Sequence, residues 1–284
     1  MLATIDLAAL TQIASLKSSD RMPVLFLGHG SPMNALAGNE YFESWRTLGA
    51  SFGTKIARPQ LILCVSAHWL TEGWWLTAMD RPRTIHDFGD FPQELFDQQY
   101  PASGDAAAAR AISQLVRQRG SLPLGRDVAQ WGLDHGTWSV LKPMFPDADI
   151  PVIQLSMDYS RPPEDHYGLA QQLKGLRECG VLIVGSGNIV HNLGQMQRGA
   201  SGNQAYDWAL EFDQTIGGYL QQGNLGTLKN FLKLGQLAKM AHPSHEHFLP
   251  LLYAAGAVDA KEPMRFFNTS FQGGSISMRS VVWG

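Results

Sequence analysis

Residues 61–69 read Leu-Ile-Leu-Cys-Val-Ser-Ala-His-Trp, a short apolar run that ends in a histidine and a tryptophan. Two further runs follow the same plan, because residues 24–28 precede His29 and residues 181–185 are followed shortly by His191. Short apolar runs bounded by turn residues are typical of strands that are buried on both faces. In open α/β sheets, ligands bind outside the carboxyl ends of such strands. Since neutral imidazole is the commonest metal ligand, the three runs predict a metal site at one edge of a sheet.

The rest of the chain alternates segments of strand character with segments of helical spacing. Strands are predicted at residues 23–27, 60–67, 74–79, 151–157, 181–185, 264–267 and 275–279, with Gln272-Gly273-Gly274 as the turn between the last two. Helices are predicted at residues 102–118, 163–178, 204–222 and 246–256. Strands separated by helices imply right-handed crossovers. The expected fold is α/β, with a central, mostly parallel sheet that is mixed at its edge and covered by helices on both faces.

Length and charge limit the domain organisation and the kinds of partner. A chain of 284 residues without a linker-like stretch predicts one large domain, which we place at residues 22–284 after an N-terminal extension or helix at residues 1–21. The formal charge of -3, without any run of lysines or arginines, argues against nucleic acid and membrane surfaces as partners. The sequence contains no signal-peptide core and no apolar segment of membrane-spanning length. We therefore expect a cytoplasmic protein, a monomer or small homo-oligomer, whose partner is a small molecule.

The segment Gly28–Pro32 directly follows the first predicted strand. Its glycines permit a tight turn and a close approach of a ligand to the backbone, which holds His29 in a fixed place. It lacks the third glycine and the lysine of phosphate-binding loops. For His29 alone, a structural hydrogen bond to the turn is the better explanation. A second histidine, His68, is followed by Trp69 at the end of a separate strand. Considered together, the two histidines are better explained as a pair of metal ligands.

Residues 185–192 read Gly-Ser-Gly-Asn-Ile-Val-His-Asn and follow another strand. A serine hydrolase is disfavoured, because valine rather than glycine stands two positions before Ser186. A dinucleotide-binding motif is disfavoured as well, because valine occupies the position of its last glycine. The segment instead predicts a flexible turn that brings Asn188 and His191 to the edge of the sheet that carries the other two histidines.

Residues 242–247 read His-Pro-Ser-His-Glu-His and precede an apolar helix. Three histidines and a carboxylate in six residues predict a further metal ligand, although His242 or His245 individually can belong to a solvated loop that caps the helix. The chain has no C-x-x-C and no H-E-x-x-H pattern, which disfavours structural zinc and zincin proteases. Imidazole and oxygen ligands with open positions suit iron(II) or zinc.

Two more clusters of aromatic residues and histidines lie between these motifs, at residues 84–88 and 131–138. They contain His86 and His135. Binding pockets are mostly apolar with a few placed polar groups, so both clusters are suited to form the walls of a pocket for a flat aromatic substrate. For His86, a purely structural role is equally compatible with the sequence.

Taken together, these motifs resemble the 4,5-DOPA extradiol dioxygenase family. That family lies within the wider group similar to the catalytic subunit of protocatechuate 4,5-dioxygenase, in the class III extradiol ring-cleavage superfamily. The resembling segments are residues 27–33, 66–69, 84–88 with 91–92, 134–138, 187–193 and 246–251. They occur in the order typical of the family, and the resemblance extends from about residue 22 to the C-terminus.

The resemblance implies a single non-haem Fe(II), sometimes replaced by Zn(II), and a catechol-type substrate that is DOPA-like or caffeate-like. The ring is opened with O2 outside the two hydroxyl-bearing carbons. Carried over residue by residue, His29 and His68 match two metal ligands, and His247 falls at the third ligand position. The wider group has a glutamate at that position. With His247 there and Glu246 before it, this chain departs from the triad of two histidines and one carboxylate.

The resemblance also implies roles for residues around the metal. His191 matches the acid/base histidine of the family, and a histidine suits proton transfer because its ordinary pKa lies close to neutral pH. His135 matches a second histidine of the substrate pocket. We expect His86, Asn188 and Trp69 to contact the substrate.

Two functions from other classes stay open at this point. One is a zinc-dependent hydrolase on a similar fold, in which His191 and Glu246 activate a metal-bound water. The other is a non-catalytic protein that has kept the pocket and binds a metal or a small molecule.

Overall fold

The computed structural model describes residues 16–118, 122–197 and 204–284. The strands in chain order are β1 Val24–Gly28, β2 Leu61–Thr71, β3 Trp75–Thr77, β4 Arg83–Thr84, β5 Gly125–Asp127, β6 Gly132–Leu133, β7 Val152–Asp158, β8 Val181–Gly187, β9 Met264–Phe267, β10 Phe271–Gln272, β11 Ile276–Ser277 and β12 Ser280–Trp283. Eight of them form one sheet in the order β5-β3-β7-β2-β8-β1-β12-β9. The short strands β10 with β11, and β4 with β6, form separate pairs.

The four central strands β7, β2, β8 and β1 run parallel to one another. Antiparallel pairs flank them on both sides, because β3 pairs antiparallel with β7, and β12 pairs antiparallel with β1 and β9. The predicted fold class, an α/β domain with a mostly parallel sheet that is mixed at its edge, is therefore confirmed.

The predicted turn near the C-terminus joins different strands from those expected. Gln272-Gly273-Gly274 connects β10 to β11 and does not connect strands at 264–267 and 275–279. Gly273 and Gly274 both have positive φ, which brings the chain back after only two paired residues. Strand β9 instead pairs with the apolar strand β12, over four residues.

The helices are α1 Glu40–Gly49, α2 Gln93–Phe96, α3 Ala106–Leu115, α4 His135–Met144, α5 Pro163–Leu173, α6 Asp207–Gln221, α7 Gln236–Ala241 and α8 Leu249–Gly256. Segments of 3-10 helix lie at Pro32–Ala35, Lys174–Cys179, Leu193–Gln195 and Leu225–Leu234. The predicted helices correspond to α3, α5, α6 and α8, all with tighter bounds, and the second continues as a 3-10 segment. Of the predicted N-terminal extension, residues 1–15 lie outside the described residues, and residues 16–21 form neither helix nor strand.

Side chains of the central strands alternate between two apolar cores on opposite faces of the sheet. On β1, Val24 and Phe26 contribute to one core, and Leu25 and Leu27 contribute to the other. Helices α3, α5, α6, α7 and α8 supply the first core, and α1 and α4 supply the second. Because both faces are covered, β1, β2 and β8 are apolar along most of their length, whereas β7 carries the buried polar residues Gln154, Ser156 and Asp158 on one face.

The carboxyl ends of β1, β2 and β8 lie side by side. Gly28 at the end of β1 pairs with Gly187 of β8, and Ser66 of β2 pairs with Ser186 of β8. His68 lies inside β2, not beyond its end as predicted, because the strand continues to Thr71 after a shift of register against β7. Such irregularities redirect side chains next to active sites. Within the described ranges, none of the helices combines the length and apolarity needed to cross a membrane.

Candidate metal centre

Three histidines from distant parts of the chain converge beyond the ends of β1, β2 and β8. The Nε2 atoms of His29 and His68 lie 3.2 Å apart. One potential ligand atom from each of His29, His68 and His247 lies within 4.8 Å of the other two. His29 and His247 are buried, and His68 is partly buried. The structure thus brings together the three residues that the sequence analysis selected as metal ligands.

Backbone contacts hold two of these histidines in place. The N–H of His29 donates to the carbonyl of Gly187 at 3.1 Å, just before Gly30 takes up a φ of 57°. The carbonyl of His247 accepts the N–H of Asn188 at 2.8 Å. A Cβ on Gly187 would collide with that same carbonyl. The absence of a side chain at the end of β8 therefore allows the turn that carries His247 to pack directly on the strand.

The tautomer of His29 follows from its hydrogen bonds. Its Nδ1 lies 3.0 Å from Oγ of Ser186. The hydroxyl of Ser186 donates its only proton to the carbonyl of Gly136, so it accepts a proton from Nδ1 of His29. The Nε2 atom of His29, which faces His68, consequently keeps its lone pair.

The other two rings are held in the same way by carboxylates. Nδ1 of His247 donates to Oε1 of Glu246 at 2.9 Å. Nδ1 of His68 lies 3.3 Å from Oδ2 of Asp87. In both rings Nε2 is left as the unprotonated nitrogen. Histidines that bind metals are typically oriented by such an acceptor on their other ring nitrogen.

This donor set fits a metal ion. Two nitrogen lone pairs 3.2 Å apart, as in His29 and His68, repel each other unless a cation lies between them. Two Zn–N bonds at a tetrahedral angle would separate the nitrogens by roughly 3.3 Å. Neutral imidazoles with open positions suit iron(II) as well as zinc. The predicted capacity to bind a metal is supported, although the donor set does not choose between these ions.

Burial keeps the three imidazole rings in their neutral form. Burial, and then the neighbouring histidines, lower the pKa of His29 and of His247 well below the ordinary value of 6.5. Burial and the neighbouring His135 lower the pKa of His68 to about 3, against the opposing effect of Asp87. Because metal ions bind neutral imidazole, the site requires no deprotonation at neutral pH.

His191 lies against the third of these rings. It stacks on His247 with ring centroids 3.5 Å apart and planes inclined by 4°. His191, Glu246 and His247 form a second group whose potential ligand atoms lie within 4.8 Å of one another. Burial lowers the pKa of His191 to about 4, although Glu246 opposes the shift. The ring is therefore neutral at neutral pH and free to accept a proton.

His135 lies on the other side of the cluster, at the first position of α4. Its ring centroid is 3.9 Å from that of His68. Nδ1 of His135 lies 3.0 Å from Oδ1 of Asp87, which also accepts the backbone N–H of His135 at 2.9 Å. Burial alone would raise the pKa of Asp87, but its contacts with His135 and His68 lower it to about 2. Asp87 is thus a charged carboxylate between two imidazoles.

A buried carboxylate fixes the start of α4. Oδ1 of Asp134 accepts the N–H of Thr137 at 3.1 Å and the hydroxyl of Ser66 at 2.7 Å. Oδ2 accepts the indole N–H of Trp131 at 3.3 Å and the amide of Gln154. An N-cap with this many donors holds the first turn of the helix, and with it His135, in one position.

Of the residues expected to contact substrate, His86 lies in an aromatic cluster. Its Nε2 donates to the carbonyl of Gln98 at 2.9 Å, and its ring packs against Phe88 and Trp138. Among the described residues, His86 belongs to none of the groups that could hold a metal ion. These contacts favour the structural role that the sequence left open.

The other two expected substrate contacts lie at the ends of β8 and β2. Asn188 is buried, its Nδ2 donates to the carbonyl of Ser277 at 2.9 Å, and its Oδ1 has no hydrogen-bond partner among the described residues. Trp69 stacks on Trp131 with centroids 5.8 Å apart and planes inclined by 4°. Both indoles line a cleft of about 300 Å³.

Among the described residues, the remaining histidines of the segment 242–247 belong to none of the groups that could hold a metal ion. His242 is buried, not solvated, and its Nε2 donates to the carbonyl of Ile189 at 2.7 Å. His245 stacks on Tyr159 with centroids 4.6 Å apart. These contacts give both residues structural roles, and they separate them from His247.

Sequence reasoning assigned no role to Asp87, Asp134 or Ser186, which orient the imidazoles. Asp87 offered a signal, since it is the carboxylate beside a histidine in a segment otherwise rich in aromatic residues. Ser186 was considered only as a nucleophile. Its function as a hydrogen-bond acceptor depends on Gly136, a residue from another element.

Comparisons with known proteins agree with this arrangement. Residues 23–277 match the model of the family described as the catalytic LigB subunit of aromatic ring-opening dioxygenase. The chain is 45% identical over 270 residues to the 4,5-DOPA dioxygenase extradiol of Escherichia coli (strain K12), covering 94% of this chain and 96% of that protein. It is 35% identical to a protein of the same name from Beta vulgaris, covering 90% and 94%.

A solved structure is also similar. The crystal structure of an uncharacterized protein from Escherichia coli K12 matches with a TM-score of 0.78 and 39% identity, covering 93% of this chain and 100% of that chain. These findings confirm the predicted enzyme class, and they favour a dioxygenase over a zinc hydrolase or a non-catalytic binding protein. The chain belongs to the family of the catalytic LigB subunit of aromatic ring-opening dioxygenases.

Proposed function

We propose that the chain is a non-haem Fe(II)-dependent extradiol dioxygenase that opens a catechol-type ring with O2. The ligands in this proposal are His29, His68 and His247. The observation that carries it is the convergence of three imidazoles whose Nδ1 atoms each lie within 3.3 Å of an oxygen atom, with the Nε2 atoms of His29 and His68 only 3.2 Å apart. Imidazoles with open positions beside them suit an iron(II) that also binds substrate.

When bound, the ion would supply a Lewis acid that acidifies a catechol hydroxyl and would hold the diol and O2 together. The protein moves the proton. We assign this task to His191, which accepts the proton of one catechol hydroxyl oxygen and later returns it. Its stacking on His247 places it beside the ligand set, and its lowered pKa of about 4 keeps the ring in the neutral form that a base requires.

The substrate pocket is proposed to include His135. Oδ1 of Asp87 lies 3.0 Å from Nδ1 of His135, and its negative charge favours a proton on that nitrogen, so the Nε2 lone pair is available to accept a hydrogen bond from the second catechol hydroxyl. The buried, unpartnered Oδ1 of Asn188 is a further acceptor for a substrate hydroxyl. Trp69, which follows His68 in the chain, stays a proposed apolar contact of the substrate. The cleft that it lines with Trp131 is bordered by none of the clustered histidines.

The substrate class is proposed from the relatives. Proteins from Escherichia coli and Beta vulgaris that are named 4,5-DOPA dioxygenase extradiol cover nine tenths or more of this chain. We therefore propose a DOPA-like catechol as the first substrate class and a caffeate-like catechol as the second. Both carry an adjacent pair of ring hydroxyls for the site to orient.

The test is anaerobic loading of the purified protein with Fe(II) or, in a matched sample, with Zn(II). DOPA or caffeate is then added in air while O2 and the visible spectrum are recorded. We expect O2 uptake and a yellow ring-opened product with Fe(II), and neither with Zn(II). Absence of O2 uptake and product across a dozen catechols would overturn the proposal. A zinc hydrolase would instead cleave an added ester probe when loaded with Zn(II), without O2 uptake.

A further inference from the structure

The carboxylate of Asp87 lies between two imidazoles with different proposed tasks. Its Oδ2 atom is 3.3 Å from Nδ1 of His68, a proposed metal ligand. Its Oδ1 atom is 3.0 Å from Nδ1 of His135, a proposed substrate contact, and accepts the backbone N–H of that residue at 2.9 Å. The side chain of Asp87 is only 19% exposed, so water competes little for these oxygens.

We infer that Asp87 is a positioning residue that sets the tautomers of His68 and His135 together. An unprotonated Nδ1 atom 3.0–3.3 Å from a carboxylate oxygen would bring two lone pairs together, so the charge of Asp87 favours a proton on Nδ1 of both rings. Each ring then presents an unprotonated Nε2 atom, one to the metal and the other to the substrate. The inference rests on the proposed function and deepens it, because one carboxylate prepares both the metal site and the pocket beside it.

The substitution Asp87→Asn distinguishes control of the tautomers from a purely structural role of Asp87 in its loop. The amide oxygen of asparagine is favoured at the Oδ1 position, where it accepts the backbone N–H of His135. The amide NH2 then faces Nδ1 of His68. Two donors cannot face each other, so His68 must carry its proton on Nε2, where the metal would bind.

The substitution Asp87→Ala has a different consequence. It removes the acceptor but presents no competing donor, so His68 can still adopt either tautomer, with water as its partner. The tautomer argument therefore predicts that asparagine, although it is the closest in shape, weakens metal binding more than alanine does. A purely structural role predicts the opposite order, with asparagine closest to the unchanged protein.

The experiment measures the affinity of the full-length, metal-free protein for Zn2+ by competition with a chelating dye, without substrate or O2. We expect the affinity to fall by about 10-fold to 100-fold for Asp87→Asn, and by less for Asp87→Ala. Nitrogen-15 spectra of the imidazoles in the metal-free protein should show His68 protonated on Nδ1 in the unchanged protein and on Nε2 in Asp87→Asn. Far-UV circular dichroism checks that each variant is folded.

Asp90→Asn is the matched control. It removes the same charge three positions away, its side chain is exposed, and asparagine tolerates the positive φ of 58° at that position. We expect its Zn2+ affinity to stay within twofold of that of the unchanged protein.

Equal affinities for all the variants, or a greater loss with alanine than with asparagine, would overturn the inference. If Asp87→Asn fails to fold, the spectra of Asp87→Ala decide: a mixed tautomer of His68 supports the role, and an unchanged Nδ1 tautomer contradicts it. Failure of the proposed function would be distinct, since the unchanged protein would bind Zn2+ with the expected tautomers and yet open no catechol when loaded with Fe(II).

Discussion

Gly136 offers a sharp test of the site geometry without removal of any proposed ligand. The residue lies in the first turn of α4, and its φ is not positive, so alanine fits the backbone. A Cβ at this position would lie 2.8 Å from Cδ2 of His68, and closer still to Oγ of Ser66. Ser66 cannot easily move, because its hydroxyl donates to Asp134 at 2.7 Å. Gly136→Ala should therefore displace the ring of His68.

Helix propensity and packing make opposite predictions for this substitution. Propensity alone would stabilise Gly136→Ala by about 1 kcal/mol. Overpacking of a filled site costs about 1–3 kcal/mol. We expect the packing cost to prevail, with a net decrease of up to about 2 kcal/mol in the free energy of unfolding and a fall of about tenfold or more in Zn2+ affinity.

Gly168→Ala provides the control, because a Cβ at that position of α5 meets nothing within 4 Å. It should raise the free energy of unfolding by about 0.4–1 kcal/mol and leave Zn2+ affinity unchanged. Urea denaturation of the metal-free proteins and dye competition for Zn2+ measure both quantities. If Gly136→Ala is as stable as Gly168→Ala and binds Zn2+ like the unchanged protein, the described packing of His68 is refuted.

Two further predictions concern other histidines. His191→Ala should keep the iron stoichiometry of the unchanged protein but lower kcat by about 100-fold to 10 000-fold, because it removes the proposed base and no metal ligand. Loss of iron from this variant would contradict the assignment. Burial lowers the pKa of His166 to about 4, so the unfolded chain takes up a proton between pH 6.5 and 4 that the folded chain refuses. Other buried histidines with lowered pKa values act in the same range, and His166 should contribute about 3 kcal/mol to the total fall in the free energy of unfolding as the pH decreases from 6.5 to 4. In urea titrations at successive pH values, His166→Gln should lessen the fall by that amount, and an unchanged fall would contradict the assignment.

Much of the sheet could be predicted from the sequence, because strands buried on both faces leave a local signal. Continuous apolar runs identified β1, β2 and β8, and turn residues marked their ends. Pairing at the C-terminus was predicted wrongly, since the two short strands β10 and β11 carry little local signal. The helices α1 and α4 were not predicted either, because their apolar residues are interspersed with polar and aromatic ones.

The metal centre could be predicted only in part. His29 was identifiable because it follows a strand and is flanked by glycines. The position of His68 inside a strand was not predictable, because the register shift of that strand leaves no local pattern in the sequence. Asp87 acts through His68 and His135, residues 19 and 48 positions away, so its role emerges only from the folded chain. Sequence patterns locate side chains along an element, and tertiary packing decides which of them meet.

The central claim is that one ion is held by Nε2 of His29, His68 and His247. Its most direct test is a crystal structure of the protein loaded anaerobically with Fe(II), with anomalous diffraction recorded at the iron edge. We expect one iron peak at bonding distance from all three Nε2 atoms. A peak between His68, Asp87 and His135, or bonds through Nδ1 of the ligands, would contradict the account.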